Sequence, residues 1–202
     1  IIIGIIYVAM GLFSGQILSL SPQLPIVWLP SGIMLAIVMI GGYRYLVGVA
    51  IGVCCLALLR DQSIFVIGAV ALSNMLTIGI GVYLLKTVCV IDMGLKHIRD
   101  VILLVLLGGF GVMLLGSITV TLIVTANYPA TEVSQQFLTL WIGSSLSVIF
   151  ITPLILAWYS DHTFAYSWHT WLEFTGLIVC SILLGWISYS NILQLHTIMP
   201  TF

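Results

Sequence analysis

The stretch Pro25-Ile-Val-Trp28-Leu-Pro30-Ser31-Gly32, running straight into the apolar residues Ile33 to Ile40, decides how this chain is built. Two prolines, a tryptophan and a glycine stand where a membrane-crossing helix should begin. Pro30 suits the first turn of a helix, because the N–H it lacks would have no intrahelical partner there. Leu29, just before it, is pushed towards an extended conformation. A helix from Pro30 to Gly42 has 13 residues, roughly 20 Å at 1.5 Å per residue, against a hydrocarbon core of about 30 Å. It is too short to cross. Either the helix continues through Gly41-Gly42, or Pro25 to Leu29 enters the membrane as extended chain. Bare backbone is not tolerated in lipid, so the second option needs that segment covered by protein or lining a wet cavity.

Composition sets the frame for this reading. Of 202 residues, 61% are hydrophobic and 5% charged, which describes an all-α polytopic membrane helix bundle and excludes an ordinary soluble domain. Apolar runs give seven candidate spans, at about 2–19, 26–42, 44–59, 64–85, 101–126, 137–158 and 171–190. The runs are long and unbroken rather than alternating, so strands are not expected. The net charge of −1 offers nothing to a nucleic acid. Cys54, Cys55, Cys89 and Cys180 have neither metal-ligand nor disulfide spacing and read as small buried hydrophobes. The chain opens without methionine and closes in an apolar stretch, which reads as a piece of a longer protein.

Basic residues orient the bundle. With a cytoplasmic N-terminus, the inner side holds Arg44, Lys86, Lys96 and Arg99 and the outer side Arg60 alone, as the positive-inside rule asks. Ser19 to Pro25, Arg60 to Ser63 and Asn127 to Gln136 then lie outside. The chain also ends outside, which calls for an eighth span beyond it. In the inner connection, Lys96 and Asp100 are spaced to pair on a short interfacial helix.

Several residues carry candidate roles. Gly11 with Gly15, and Gly48 with Gly52, have the small-xxx-small spacing that lets helix backbones approach in lipid, and packing inside the bundle is the expected use. Asn74 lies mid-span and reads first as an interhelical clamp with Ser73 and Thr77, second as a ligand contact. Trp28 and Trp141 can serve as aromatic-belt residues, yet each is followed within four residues by glycine and serine, suggesting similar outward edges on spans two and six. Pro153 frees a carbonyl and can kink span six. Asp161, His162 and His169 fit no metal motif. No acidic residue falls mid-span in spans one to six, and Glu173 sits near the inner end of span seven. Without buried ionisable groups there is no case for a proton pump or intramembrane protease, so no catalytic residue, metal or cofactor is expected.

Trp28-Leu-Pro30-Ser-Gly32-Ile-x-Leu-Ala36, then Gly41-Gly42-Tyr-Arg44-Tyr-Leu-Val-Gly48-x-x-x-Gly52, resembles the second and third spans of the MASE1 family of bacterial integral membrane sensor domains. Arg99-Asp100-Val with the glycine-rich span after it resembles the fifth. Trp141-Ile-Gly143-Ser144-x-x-Ser147 with Thr152-Pro153-Leu-Ile-Leu resembles the sixth, with Ser144 where the family usually has Asp, Ser147 where it has Gly, and Val47 where it has Pro. The resemblance covers about residues 1 to 190, so 1–202 reads as one MASE1-like domain. It implies eight spans, a bacterial inner-membrane location and a C-terminal cytoplasmic output module, typically a histidine kinase of a two-component system or a diguanylate cyclase making cyclic-di-GMP, through which the protein could dimerise.

The function expected is therefore a sensory input domain. Its site is expected as an outward cavity between spans one, two, four and six. Trp28 and Trp141 supply walls, and Gln16, Asn74 and Ser144 supply polar contacts. The amides of Ser31, Gly32 and Ile33 form a helix N-terminus suited to a small anion. The alternative from another class is a transport protein or the substrate-capture subunit of one, since a broken helix at mid-membrane is also a transporter device.

Overall fold

The structure, a computed structural model, describes residues 1–17, 19–21, 24–25, 27–128 and 133–160. Helices dominate: α1 (Ile2–Ile17), α2 (Leu29–Gly41), α3 (Leu46–Leu58), α4 (Ile64–Tyr83), α5 (Ile98–Leu103), α6 (Met113–Asn127) and α7 (Val133–Ser160). A π-helical turn, Leu84–Val88, extends α4, and a longer π-helical segment, Leu104–Val112, joins α5 to α6 without a break. Among the described residues, three continuous helices are long and apolar enough to cross a membrane: Ile64–Val88, Ile98–Asn127 and Val133–Ser160. The runs Ile2–Gly15, Leu29–Gly41 and Tyr43–Leu58 are apolar but shorter. Six of the seven sequence-derived spans thus appear as helices, while 171–190 and an eighth span lie outside the described residues. The prediction of no strands needs one correction: Ser19–Ser21 and Leu24–Pro25 pair antiparallel, giving the backbone between α1 and α2 partners of its own.

The centre of the bundle is the short helix. Met34, Leu35, Ala36, Val38 and Met39 of α2 are completely buried, as expected of a helix that is apolar all round. Its length is the 13 residues foreseen, and it stops at Gly42, whose φ of 86° a side chain would resist. Both ends of such a helix leave unpaired backbone groups inside the membrane. At the C-terminal end, Lys86 Nζ donates to Met39 O at 2.9 Å and Arg44 Nε to Gly41 O at 3.2 Å. Two cations therefore meet the negative end of the helix dipole.

Around α2, packing depends on close backbone approach. A Cβ on Gly48 or Gly52 of α3 would strike Ile3 or Tyr7 of α1, and one on Gly11 would strike Leu56 of α3. A Cβ on Gly15 would come no nearer than ordinary contact, 3.6 Å, to the Arg60 side chain. The π-helical segment turns two carbonyls towards α7: Ser145 Oγ donates to Gly109 O at 2.8 Å and Trp141 Nε1 to Phe110 O at 3.1 Å. Side chains of a neighbouring helix thus satisfy backbone that irregular winding releases. Leu72, Leu76 and Ile80 on α4, and Phe150, Leu154 and Trp158 on α7, form exposed stripes at helical spacing, the faces suited to lipid. The α7 helix continues through Pro153.

Two local expectations change. Lys96 does not lie on a helix with Asp100, because α5 begins only at Ile98. Asp100 is instead buried, and its Oδ2 accepts the Asp92 N–H at 3.3 Å, closing the loop back on itself. Cys55 is exposed and Cys54 and Cys89 half-buried, not buried as composition suggested.

Candidate functional site

Trp28 is where the chain enters the bundle. Its φ of −95° and ψ of 81° are not helical, and its N–H donates to Gly143 O of α7 at 3.0 Å. The donors of the first turn of α2 follow. Leu29 N–H reaches Ser14 Oγ at 3.1 Å, Pro30 has none, Ser31 N–H reaches Trp28 O at 3.2 Å, and Gly32 N–H reaches Ser147 Oγ at 3.0 Å. Ser147 Oγ in turn donates to Leu29 O, Thr152 Oγ1 to Gly32 O at 2.9 Å, and Ser31 Oγ to Ser144 Oγ at 3.1 Å. Hydroxyls of α1 and α7 thus replace the water that a broken helix would need. This also removes the expected anion site. A helix N-terminus attracts anions through free N–H groups, and those of Ser31 and Gly32 are already bonded to protein.

Beside this junction lies a cavity of about 520 Å³, within the range of small-ligand sites. Trp28, Ser31 and Ser144 line it at the junction, Tyr7 and Leu56 line it from α1 and α3, and Asn74 and Thr77 of α4 and Ser117 of α6 line it from two further helices. Arg60, Gln62, Gln135 and Gln136 lie towards the end where α3 meets α4 and α7 begins. On α6 the lining residues run from Met113 to Val124, so the cavity reaches roughly 16 Å along that helix. Arg60 is its one formal charge among the described lining residues. The guanidinium rests 5.7 Å from the centre of the Trp28 ring, a cation–π contact that holds it over the cavity wall.

The sequence-derived candidates divide. Trp28, Ser31, Asn74 and Ser144 line the cavity together. Gly32 packs against α7, where an added Cβ would fall on the Ser147 carbonyl. Trp141 does not face the cavity: it stacks on Phe137 at 5.9 Å, meets Phe110 edge-on and donates to Phe110 O. Gln16 lies in α1, but its side chain is outside the described residues, as are Asp161, His162, His169 and Glu173. Asn74 is no interhelical clamp, since its Nδ2 donates to Val70 O of its own helix. Ser73 makes that link instead, to Thr119 at 2.6 Å.

Sequence reasoning missed the contributions of α3 and α6, and with them Arg60 and Ser117. Arg60 could have been found as the lone cation opposite the basic side. Ser117 stands in an apolar run with no signal of direction.

A sequence model described as MASE1 matches residues 1–201. No curated protein and no solved structure matches the chain.

Proposed function

The chain belongs to the MASE1 family, a family of membrane-associated sensory domains found in signalling proteins, and from that premise we propose that the bundle is the input half of a bacterial signalling protein. The cavity is its sensor, and a cytoplasmic module C-terminal to it, a histidine kinase or diguanylate cyclase, is its output. One observation carries this reading. The cavity is built against the interrupted start of α2, and α7, which shares that junction, runs 28 residues along the bundle towards the C-terminal part of the chain. A ligand that prefers one packing of α2 against α7 biases the position of α7 by its difference in affinity for the two packings.

Placement in the inner membrane with the N-terminus in the cytoplasm is supported by the cations. Arg44, Lys86, Lys96 and Arg99 gather at the end of the bundle away from Arg60, so the positive-inside rule turns the cavity mouth outward. The test fills the cavity in the full-length protein reconstituted in lipid vesicles. Asn74→Leu and Ser117→Leu are each expected to fix output activity at one level, whatever signal is applied. Regulation that survives both substitutions removes the cavity from the mechanism. Uptake of a solute by vesicles carrying the bundle alone makes the protein a transporter instead.

A further inference from the structure

We propose that the cavity takes a hydroxylated monocarboxylate, its carboxylate on Arg60 and its hydroxyls donating to oxygens deeper in the bundle; this rests on the sensory reading of the same cavity. The anionic end follows from charge. Arg60 is the one charged group among the described lining residues, and among the described residues it has no carboxylate partner. A guanidinium matches a carboxylate with two parallel hydrogen bonds. One positive charge balances one negative charge, whereas a dianion would bring a second, uncompensated charge into a partly apolar chamber, which is costly.

The neutral end follows from how the polar side chains have spent their protons. Thr77 Oγ1 donates to Ser73 O and Thr139 Oγ1 to Gln135 O, each at 2.8 Å and each within its own helix. What they offer the cavity is lone pairs. Asn74 Nδ2 donates to Val70 O at 2.9 Å, leaving Oδ1 as a further acceptor. Gln136, at the Arg60 end, has a buried Oε1 with no hydrogen-bond partner among the described residues, a condition that burial makes unfavourable. The part of the cavity away from Arg60 therefore offers acceptors from Thr77 and Asn74, with Thr139 nearer Arg60. An ammonium could also donate to it, but no acidic side chain among the described lining residues is there to balance one. Neutral O–H donors fit both the acceptors and the charge count.

Calorimetry on the full-length protein in lipid nanodiscs at low salt tests this with matched probes. Gluconate is compared with sorbitol, which lacks the charge, and hexanoate, which lacks the hydroxyls; glycerate, glycerol and propionate form the smaller set. At least one hydroxy acid is expected to bind at least about tenfold more tightly than both of its controls. Arg60→Gln is expected to erase the preference over the polyol, with a cooperative thermal unfolding transition retained despite loss of the Trp28 contact. Asn74→Leu with Thr77→Val is expected to erase the preference over the alkanoate but not binding of the alkanoate itself. The proposal is overturned if neither hydroxy acid binds below about 1 mM, if the polyol binds as well as the acid, if the alkanoate does, or if an amino acid of equal size, such as serine against glycerate, binds more tightly. Loss of regulation on cavity filling with no hydroxy-acid binding leaves the sensory reading standing and this one overturned. Selective binding with output indifferent to cavity filling does the reverse.

Discussion

Gly32→Ala is expected to prevent the bundle from assembling, at a cost above about 3 kcal/mol, the upper end of ordinary overpacking. The added methyl group would lie on the backbone carbonyl of Ser147 and against its Oγ. A flexible side chain can rotate away from such a contact, but backbone in the middle of a 28-residue helix cannot. The only relief is to part α2 from α7. That would also break the bonds from Gly32 N–H to Ser147 Oγ and from Thr152 Oγ1 to Gly32 O. Gly68→Ala provides the comparison: it lies in α4 with nothing within 4 Å of the position a Cβ would take. There the change is expected to be neutral or stabilising by up to about 1 kcal/mol, through helix propensity. Thermal unfolding in detergent, with yield of monodisperse protein, reads both. Equal stability of the two variants would mean that α2 and α7 are not in backbone contact.

The short central helix was legible because it follows from counting. Thirteen residues between Pro30 and Gly42 cannot span, whatever surrounds them, and the structure ends α2 at Gly41. The need to cover the entering backbone was equally legible, from the absence of water in lipid. The direction in which each helix faces was not. In a soluble bundle the buried side of a helix is marked by its apolar stripe, but here lipid and core are both apolar, so the stripe carries little direction. Trp141 shows the consequence: its resemblance to Trp28 in sequence suggested a shared edge, yet its indole turns to Phe110 and Phe137. Ser117 shows the converse, a cavity residue in a run that gave no reason to pick it. The basic residues were read for topology alone, whereas Arg44 and Lys86 also close the carbonyl end of α2. The serines at 144 and 147 were noted as departures from a family pattern. Their spacing of three residues, with Thr152 five further on, was a stripe of hydroxyls that could have been matched to the unpaired start of α2.

That stripe yields the second large effect. Ser147→Ala is expected to destabilise the bundle by about 1–3 kcal/mol, because Gly32 N–H loses its acceptor where Ser147 itself is fully buried and no water replaces it. Leu29 O also loses the Ser147 hydroxyl, but helical geometry leaves it the N–H of Ile33. Thr152→Val removes the other bond at Gly32 while keeping side-chain shape. Here the carbonyl retains the N–H of Ala36 within α2, so the expected cost falls to about 0.6 kcal/mol, the mean for interhelical bonds in a membrane. The difference between an orphaned donor and an acceptor with a second partner is thus readable as a difference between two variants on one helix. Unfolding of each single variant and of the pair, in the same lipid mixture, checks both the order and the coupling. If Ser147→Ala costs no more than Thr152→Val, Gly32 N–H has found another partner and the start of α2 is looser than the hydrogen bonds imply. Ser147 lies one helical turn beyond Ser144, which bonds Ser31 at the cavity wall. Weakening this seam should therefore shift the resting level of output in the full-length protein.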